Sequence, residues 1–285
     1  MNYRHAFHAG SFADVFKHAV LVRILLHLRE KPAPFRVIDT HAGAGLYDLS
    51  GPEAVRSPEW RAGIARLLAA PLAEPARALV APYLDVINSL NAPGPLTLYP
   101  GSPAIVCACL RSQDRLIACE LEPSAAAALA HHVGRDRRAK AITIDGWIAL
   151  NAYVPPPERR GLVLVDPSYE EDDDFVRLML GLAGAHRKWP GGIYLLWYPI
   201  KGRGDPDRLV RELRRLSIPK ILRAELRVGA TPAEGPLGGC GLIIVNPPWR
   251  LDNELSVMLP ALAAALQAGA AGGSGHRLDW IARET

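Results

Sequence analysis

This 285-residue chain has little cysteine, no long apolar run and no large excess of one charge. Its four cysteines, Cys107, Cys109, Cys119 and Cys240, form neither a C-x-x-C pair nor a regular framework. A disulfide scaffold and a zinc site are therefore not expected, and the thiols are expected as small buried hydrophobes in a reducing compartment. No stretch of about 18 uncharged apolar residues exists to span a bilayer. Met1 to His8 contains no apolar segment followed by a small-residue cleavage site, so the expected location is the cytoplasm. Lys plus Arg exceed Asp plus Glu by only 33 to 29, and a net charge of +4 is too small for a histone-like coat. What is present, 49% hydrophobic and 22% charged residues, suits one large globular domain, or one domain carrying an insert.

The positive charge is clustered. Arg135, Arg137, Arg138 and Lys140 form one group, Arg159 and Arg160 a second, and Arg208, Arg211, Arg214, Arg215, Lys220 and Arg223 a third. A single cluster reads as a solvated helix face. Three together are compatible with a phosphate-binding surface.

Ser11 followed by Asp14 resembles a capping box, and Val15, Ala19, Val22, Leu25 and Leu26 then recur at helical spacing, predicting a helix over 12–30. Residues 35–39 read as a strand running into the glycine turn 40–45. Further short apolar runs end in a polar residue at Glu120, Asp145 and Asp166, and another covers 193–198. Helical patterns at 124–134, 146–152, 173–187 and 205–216 alternate with them, which predicts an α/β fold with a parallel sheet covered on both faces. Two last runs, 220–228 and 241–245, read as an antiparallel hairpin closing the sheet edge, for seven strands in all. About 70 residues separate the glycine turn from the next core strand, far more than a crossover needs. The expected domains are a core of 1–49 and 97–285 and an inserted helical subdomain of 50–96, with helices near 58–70 and 75–90. Ser102 as N-cap and Pro103 as first helical residue resume the core.

Ligands of open α/β sheets bind beyond the carboxyl ends of the strands, where this chain places Asp39, Glu120, Asp145 and Asp166. Gly43 and Gly45 permit close backbone approach, and Glu120 is placed to accept both hydroxyls of a ribose. Asp48 stands where a pyrophosphate-binding fingerprint needs its third glycine, so a nucleoside without pyrophosphate fits better. S-adenosylmethionine is such a ligand. Asp166-Pro167-Ser168-Tyr169 resembles the Asp-Pro-Pro-Tyr of amino-methyltransferases that act on adenine N6. A carboxylate and the carbonyl of Pro167 can accept from both N6 hydrogens as the nitrogen attacks the methyl, while Tyr169 offers a stacking face. Asn246-Pro247-Pro248-Trp249 fits the same pattern, but its strand is expected to run antiparallel and point away from the cofactor edge, so it reads as a structural turn.

Residues 3–10 and 13–18, Asp39 to Gly45, Tyr99 to Pro103, Trp197 to Pro199 and Asn246 to Trp249 together resemble the RlmJ family of 23S ribosomal RNA adenine-N6 methyltransferases. The resemblance spans nearly the whole chain. It implies a Rossmann-like class I methyltransferase fold with a helical insert, S-adenosylmethionine as cofactor, 23S ribosomal RNA as partner, a monomer, and no metal or membrane. It also implies cofactor contacts from His18, His41, Gly43, Ser102, Glu120, Asp145, Gly146 and Asp166, catalysis at Asp166 with Pro167 and Tyr169, and substrate contacts from Tyr3 and Lys17. Ser168 departs from the family's proline. The expected function is methylation of N6 of a specific adenine in 23S ribosomal RNA. The alternatives are a non-catalytic RNA-binding or ribosome-assembly module, and a DNA adenine-N6 methyltransferase.

Overall fold

The computed structural model describes residues 4–171, 173–200, 206–229, 237–267 and 275–284. After a 3-10 turn at His5–Phe7, the chain forms α1 Phe12–Glu30, β1 Arg36–Asp39 and β2 Leu46–Asp48. Four helices follow, α2 Pro52–Arg56, α3 Glu59–Ala62, α4 Ile64–Ala69 and α5 Glu74–Asn91, and then β3 Leu98–Pro100. The alternating part comprises α6 Ser102–Cys109, β4 Arg115–Glu120, α7 Pro123–Val133, β5 Ala139–Thr143, α8 Gly146–Ala152, β6 Gly161–Val165, α9 Asp174–Lys188 and β7 Ile193–Ile200. The chain ends with α10 Pro206–Arg215, β8 Ile221–Arg227, β9 Gly239–Val245, α11 Leu251–Leu266 and β10 Gly275–Ala282.

The main sheet has eight strands in the order β5-β4-β1-β6-β7-β9-β8-β10. From β5 to β7 all pairings are parallel. Strand β9 runs antiparallel between β7 and β8, and β10 pairs antiparallel with β8. Seven strands and an edge hairpin were expected, and both expectations are corrected. All seven residues of β9 are buried, so it needs cover on both faces and sits inside the sheet rather than at its rim. The added edge, β10, carries Arg277 and Asp279 and only one fully buried residue, which hides it from a search for apolar runs.

Successive strand residues alternate between two cores. Val37, Leu116, Leu162, Leu195 and Ile244 meet α1, α5, α6, α7 and α11, while Ile38, Val163, Tyr194 and Ile243 meet α8, α9 and α10. Helix α11 escaped the sequence reading although Leu251, Leu255, Met258, Leu259, Leu262 and Leu266 form its buried stripe at helical spacing.

Strands β2 and β3 pair with each other, Tyr47 opposite Tyr99, on either side of α2 to α5. The region expected as one helix near 58–70 is broken into α3 and α4 at Gly63, and a short α2 precedes it. Helix α6 begins one residue earlier than expected, with Gly101 as N-cap and Pro103 second, which leaves Ser102 buried and facing the sheet edge. All four cysteines are free. Among the described residues no helix is long and apolar enough to cross a membrane.

Candidate active site

A cavity of about 390 Å³ opens at the carboxyl edge of the parallel strands, a volume within the usual range for small-ligand sites. Its floor begins with the turn after β1. Gly43 has φ +61°, and a Cβ there would lie 2.2 Å from the Tyr47 hydroxyl; only glycine meets both conditions. The Gly43 N–H donates to Glu120 Oε2 at 2.8 Å, and the amides of Leu121 and Glu122 donate to Oε1, each at 2.8 Å. These three bonds hold the Glu120 carboxylate at the end of β4 with lone pairs left towards the cavity. Asp145 caps α8, its Oδ1 accepting from Trp147 at 2.8 Å and Ile148 at 3.0 Å, which leaves Oδ2 outside the cap. A Cβ on Gly146 would stand 2.4 Å from the Thr40 carbonyl and 2.6 Å from His41 Nε2, so this close approach also demands glycine.

Of the three histidines lining the cavity, burial favours the neutral form of His18 and His41. Thr40 donates its hydroxyl to the Leu164 carbonyl at 3.0 Å, so its oxygen accepts from His41 Nδ1–H at 2.8 Å and Nε2 keeps a lone pair. Burial lowers the pKa of His41 to about 4, with Asp166 and Asp145 opposing. His18 Nδ1 bonds the Tyr99 hydroxyl at 2.8 Å, which bonds that of Tyr83 at 3.0 Å. Burial, aided by Lys17 and His5 and opposed by Asp14, takes His18 to about 3. Below the cavity lies Asp39, fully buried, with neither oxygen completing a hydrogen bond. Burial and the nearby Asp166 push it up to about 7, although Ser102, Lys17 and the His41 amide favour its charge.

A chain of buried charges reaches the end of β6. The Asp166 carboxylate contacts the Lys17 ammonium directly. Lys17 Nζ also donates to Asp14 Oδ1 at 2.9 Å, and Asp14 Oδ2 takes His5 Nε2 at 2.9 Å and the Gly10 N–H at 3.0 Å. Burial works against both charges, yet the attractions outweigh it: Asp14 and Asp166 hold Lys17 well above its ordinary pKa, and His5 and Lys17 hold Asp14 well below. This corrects the capping-box reading, since Ser11 makes no side-chain cap. The carboxylate three residues on ties the N-terminal segment and Lys17 together instead.

Of the residues singled out in the sequence, His18, His41, Gly43, Ser102, Glu120, Asp145, Gly146, Asp166, Pro167 and Lys17 line this one cavity. Tyr169 is brought close but not into it: its hydroxyl donates to the Trp197 carbonyl at 2.7 Å and its ring leans on Phe175, centroids 4.7 Å apart. Tyr169, not Ser168, carries the left-handed backbone of the turn, at φ +54°. Tyr3 lies outside the described residues. Asp14 and Trp147 were not singled out for the site; the first was read as a cap, and the second lies just inside α8, where only the cavity reveals its exposure to a ligand. Asn246 follows the antiparallel β9 and donates to the carbonyls of Pro190 at 2.7 Å and Gly192 at 2.8 Å, so it belongs to the opposite edge as a turn.

Three members of the arginine clusters serve the fold. Arg138 binds Asp136 and the Leu110 and Cys107 carbonyls, Arg160 binds the Ala33 and Leu28 carbonyls, and Arg223 is buried against Asp279 and Glu225. They are withdrawn from the set of candidate phosphate contacts.

A nucleoside-sized cavity at the carboxyl edge of a Rossmann-like sheet, with an antiparallel strand inserted between β7 and β8, defines a class I methyltransferase. Residues 32–282 match the family model described as ribosomal RNA large subunit methyltransferase D, RlmJ. The chain is 39% identical over 285 residues to ribosomal RNA large subunit methyltransferase J of Escherichia coli, with 100% of both chains covered. It is 36% identical over 286 residues to the protein of the same name from Haemophilus influenzae, again with 100% of each covered. A crystal structure of a Legionella pneumophila protein superimposes with a TM-score of 0.86 at 35% identity, covering 95% of this chain and 98% of that one. The chain belongs to the RlmJ family of ribosomal RNA methyltransferases.

Proposed function

We propose that this chain transfers the methyl group of S-adenosylmethionine to N6 of an adenine in 23S ribosomal RNA. The observation that carries the reading is the delivery of Asp166 and Pro167 by β6 into the same cavity as the tethered Glu120 carboxylate. The residues suit this cofactor. Glu120 offers acceptor lone pairs for ribose hydroxyls, Asp145 Oδ2 and the lone pair of His41 Nε2 are acceptors on the cavity wall, and the glycine turn leaves room for an adenosine. Buried Asp39, with no completed hydrogen bond, supplies negative potential beneath a cationic ligand. When bound, S-adenosylmethionine supplies an electrophilic methyl group on a sulfonium.

The protein's part is orientation and electrostatics. Adenine N6 is a weak nucleophile because its lone pair is delocalised into the ring. Asp166 and the Pro167 carbonyl accept from the two N6 hydrogens, which draws the nitrogen towards pyramidal geometry and offsets the positive charge that develops on it. Lys17, anchored by Asp14, fixes the direction of the Asp166 carboxylate. Tyr169 is assigned the stacking face for a flipped-out base, which requires its ring to leave its packing on Phe175. Residues 50–96 are taken as an inserted helical subdomain on a core of 1–49 and 97–285, because β2 and β3 pair at its ends, and Glu53 brings it to the cavity rim.

Incubation of the protein with 23S ribosomal RNA and S-adenosylmethionine carrying a labelled methyl group tests the reading. The expected result is label in N6-methyladenosine on digestion. Label in another nucleoside, or transfer to DNA in preference to RNA, would contradict it.

A further inference from the structure

The cavity edge is a poor surface for a polyanion. Among the described residues, its lining holds eight carboxylates against three lysines and arginines, and the His18 and His41 rings are neutral there. Phosphates near the target base meet net repulsion, so backbone affinity has to come from elsewhere.

Topology gathers six unpaired cations at the opposite edge. Strands β5, β6, β7 and β8 all run in the same direction, β8 through its antiparallel pairing with β9. The segments that precede them therefore lie together on the rear of the sheet. Arg135 and Arg137 precede β5, Lys140 is its second residue, Arg159 precedes β6, and Arg187 and Arg214 lie in the last turns of α9 and α10. All six are exposed and none has an acidic partner among the described residues. β5 and β8 are six places apart in the sheet, about 29 Å at ~4.8 Å per strand. The acids nearby in sequence are already engaged: Asp136 with Arg138, Glu158 with Arg36 and Glu212 with Arg215. Helix dipoles account for the cations in the last turns of α9 and α10. They do not account for Arg135, Arg137 and Arg159, which stand in loops beyond any helix.

We propose that this rear edge is a second RNA-docking surface, holding backbone phosphates of the ribosomal RNA whose target base enters the cavity on the other side. The proposal rests on the RNA-methyltransferase reading and adds where the substrate is gripped. A five-residue strand is about 17 Å long, so with its loops the two edges are joined by a nucleic acid of on the order of ten base pairs at ~3.4 Å each. A substrate much shorter than that engages the cavity alone.

The test uses the full chain and two triple variants, Arg135→Gln with Arg137→Gln and Lys140→Gln, and Arg159→Gln with Arg187→Gln and Arg214→Gln. Binding to a long ribosomal RNA fragment and to a hairpin of a few base pairs is measured against salt, without cofactor, alongside methylation kinetics. Each triple is expected to lower the log-log salt slope for the long RNA by about 2 to 3. Its KM for that RNA is expected to rise on the order of tenfold or more, with kcat, cofactor affinity and all behaviour towards the short hairpin unchanged. Unchanged slopes and KM for the long RNA would overturn the proposal. So would loss of binding to phosphatidylserine vesicles with RNA binding intact, which would assign the edge to an anionic membrane. If the unmodified protein methylates neither RNA, the catalytic reading fails, while the cofactor-free slopes still decide the surface.

Discussion

Single residues carry the chemistry, and two carboxylates separate its stages. In the proposed reaction, Asp166 acts on a charge that appears during transfer, whereas Glu120 acts on the bound nucleoside. Asp166→Ala is expected to slow single-turnover methylation by about 10² to 10³, or roughly 3 to 4 kcal/mol of barrier, with cofactor affinity changed only a few-fold. Glu120→Ala is expected to show the reverse balance in calorimetry, weaker cofactor binding being its main effect. Equal losses of affinity in both variants would contradict the division. Ser168 is a second residue-scale case. The Pro167 carbonyl is present and the left-handed backbone falls on Tyr169, so a ring at 168 adds neither group; its gain is confined to unfolded-chain entropy of about 0.4 to 1 kcal/mol. Ser168→Pro should therefore change the single-turnover rate by less than about tenfold. A natural protein that binds cofactor and RNA yet turns over only as Ser168→Pro would reverse that conclusion in favour of a non-catalytic module.

Among the elements, helices α2 to α5, proposed as an insert, decide how far the molecule behaves as one body. Ile64, Leu67, Val80, Tyr83 and Ile87 join the same hydrophobic core as α1 and α11, and Tyr83 reaches His18 through Tyr99. Ile64→Ala, at a fully buried side chain, should cost about 2 to 5 kcal/mol, and urea unfolding should keep a single transition. A separate early transition would show that the insert unfolds by itself. The elements were legible in the sequence where period and punctuation agreed. The 12–30 helix is bounded by Ser11 and the Lys31-Pro32-Ala33-Pro34 break, and four of the five parallel strands, all but β7, announce themselves as apolar runs ending in Asp or Glu. Strand β10 was not legible because its stability comes from pairing, with Arg223 on β8 binding Asp279 through two bonds of 2.9 Å, a partnership invisible in a local window. Glu120, Asp145 and Asp166 were legible because strand ends collect them at one edge, whereas His18, His41, Ser102, Gly146 and Lys17 were reached through the family resemblance. Asp14 was not, since the same carboxylate position serves a cap or a buried ion pair, and only tertiary structure chooses. The arginine clusters misled in part for the same reason: Arg223 looks like a surface cation until β8 and β10 close over it.

At the scale of the whole molecule, the cavity lining is rich in carboxylates while six exposed cations gather at the rear, and stability responds to pH through opposed groups. Asp39 rises from 3.8 to about 7 on folding. The folded state therefore binds the extra proton between those values, and the stability from this group, complete below 3.8, is lost as pH climbs through 7. His18 and His41 fall from 6.5 to about 3 and about 4; for them the unfolded chain binds the extra proton, and stability is lost as pH falls below 6.5. Asp39→Asn removes the first contribution alone. Relative to the natural protein, the variant should gain roughly 3 to 4 kcal/mol in urea unfolding between pH 4 and pH 8. A difference that stays constant with pH would mean that Asp39 ionises normally in the fold.

The central claim, methyl transfer to adenine N6 in large-subunit ribosomal RNA, is tested most directly in cells lacking this gene. Their 23S ribosomal RNA, digested and analysed by nucleoside mass spectrometry, should contain one N6-methyladenosine fewer per molecule. The natural gene should restore it, and the Asp166→Ala gene should not. An unchanged N6-methyladenosine content on loss of the gene would contradict the account.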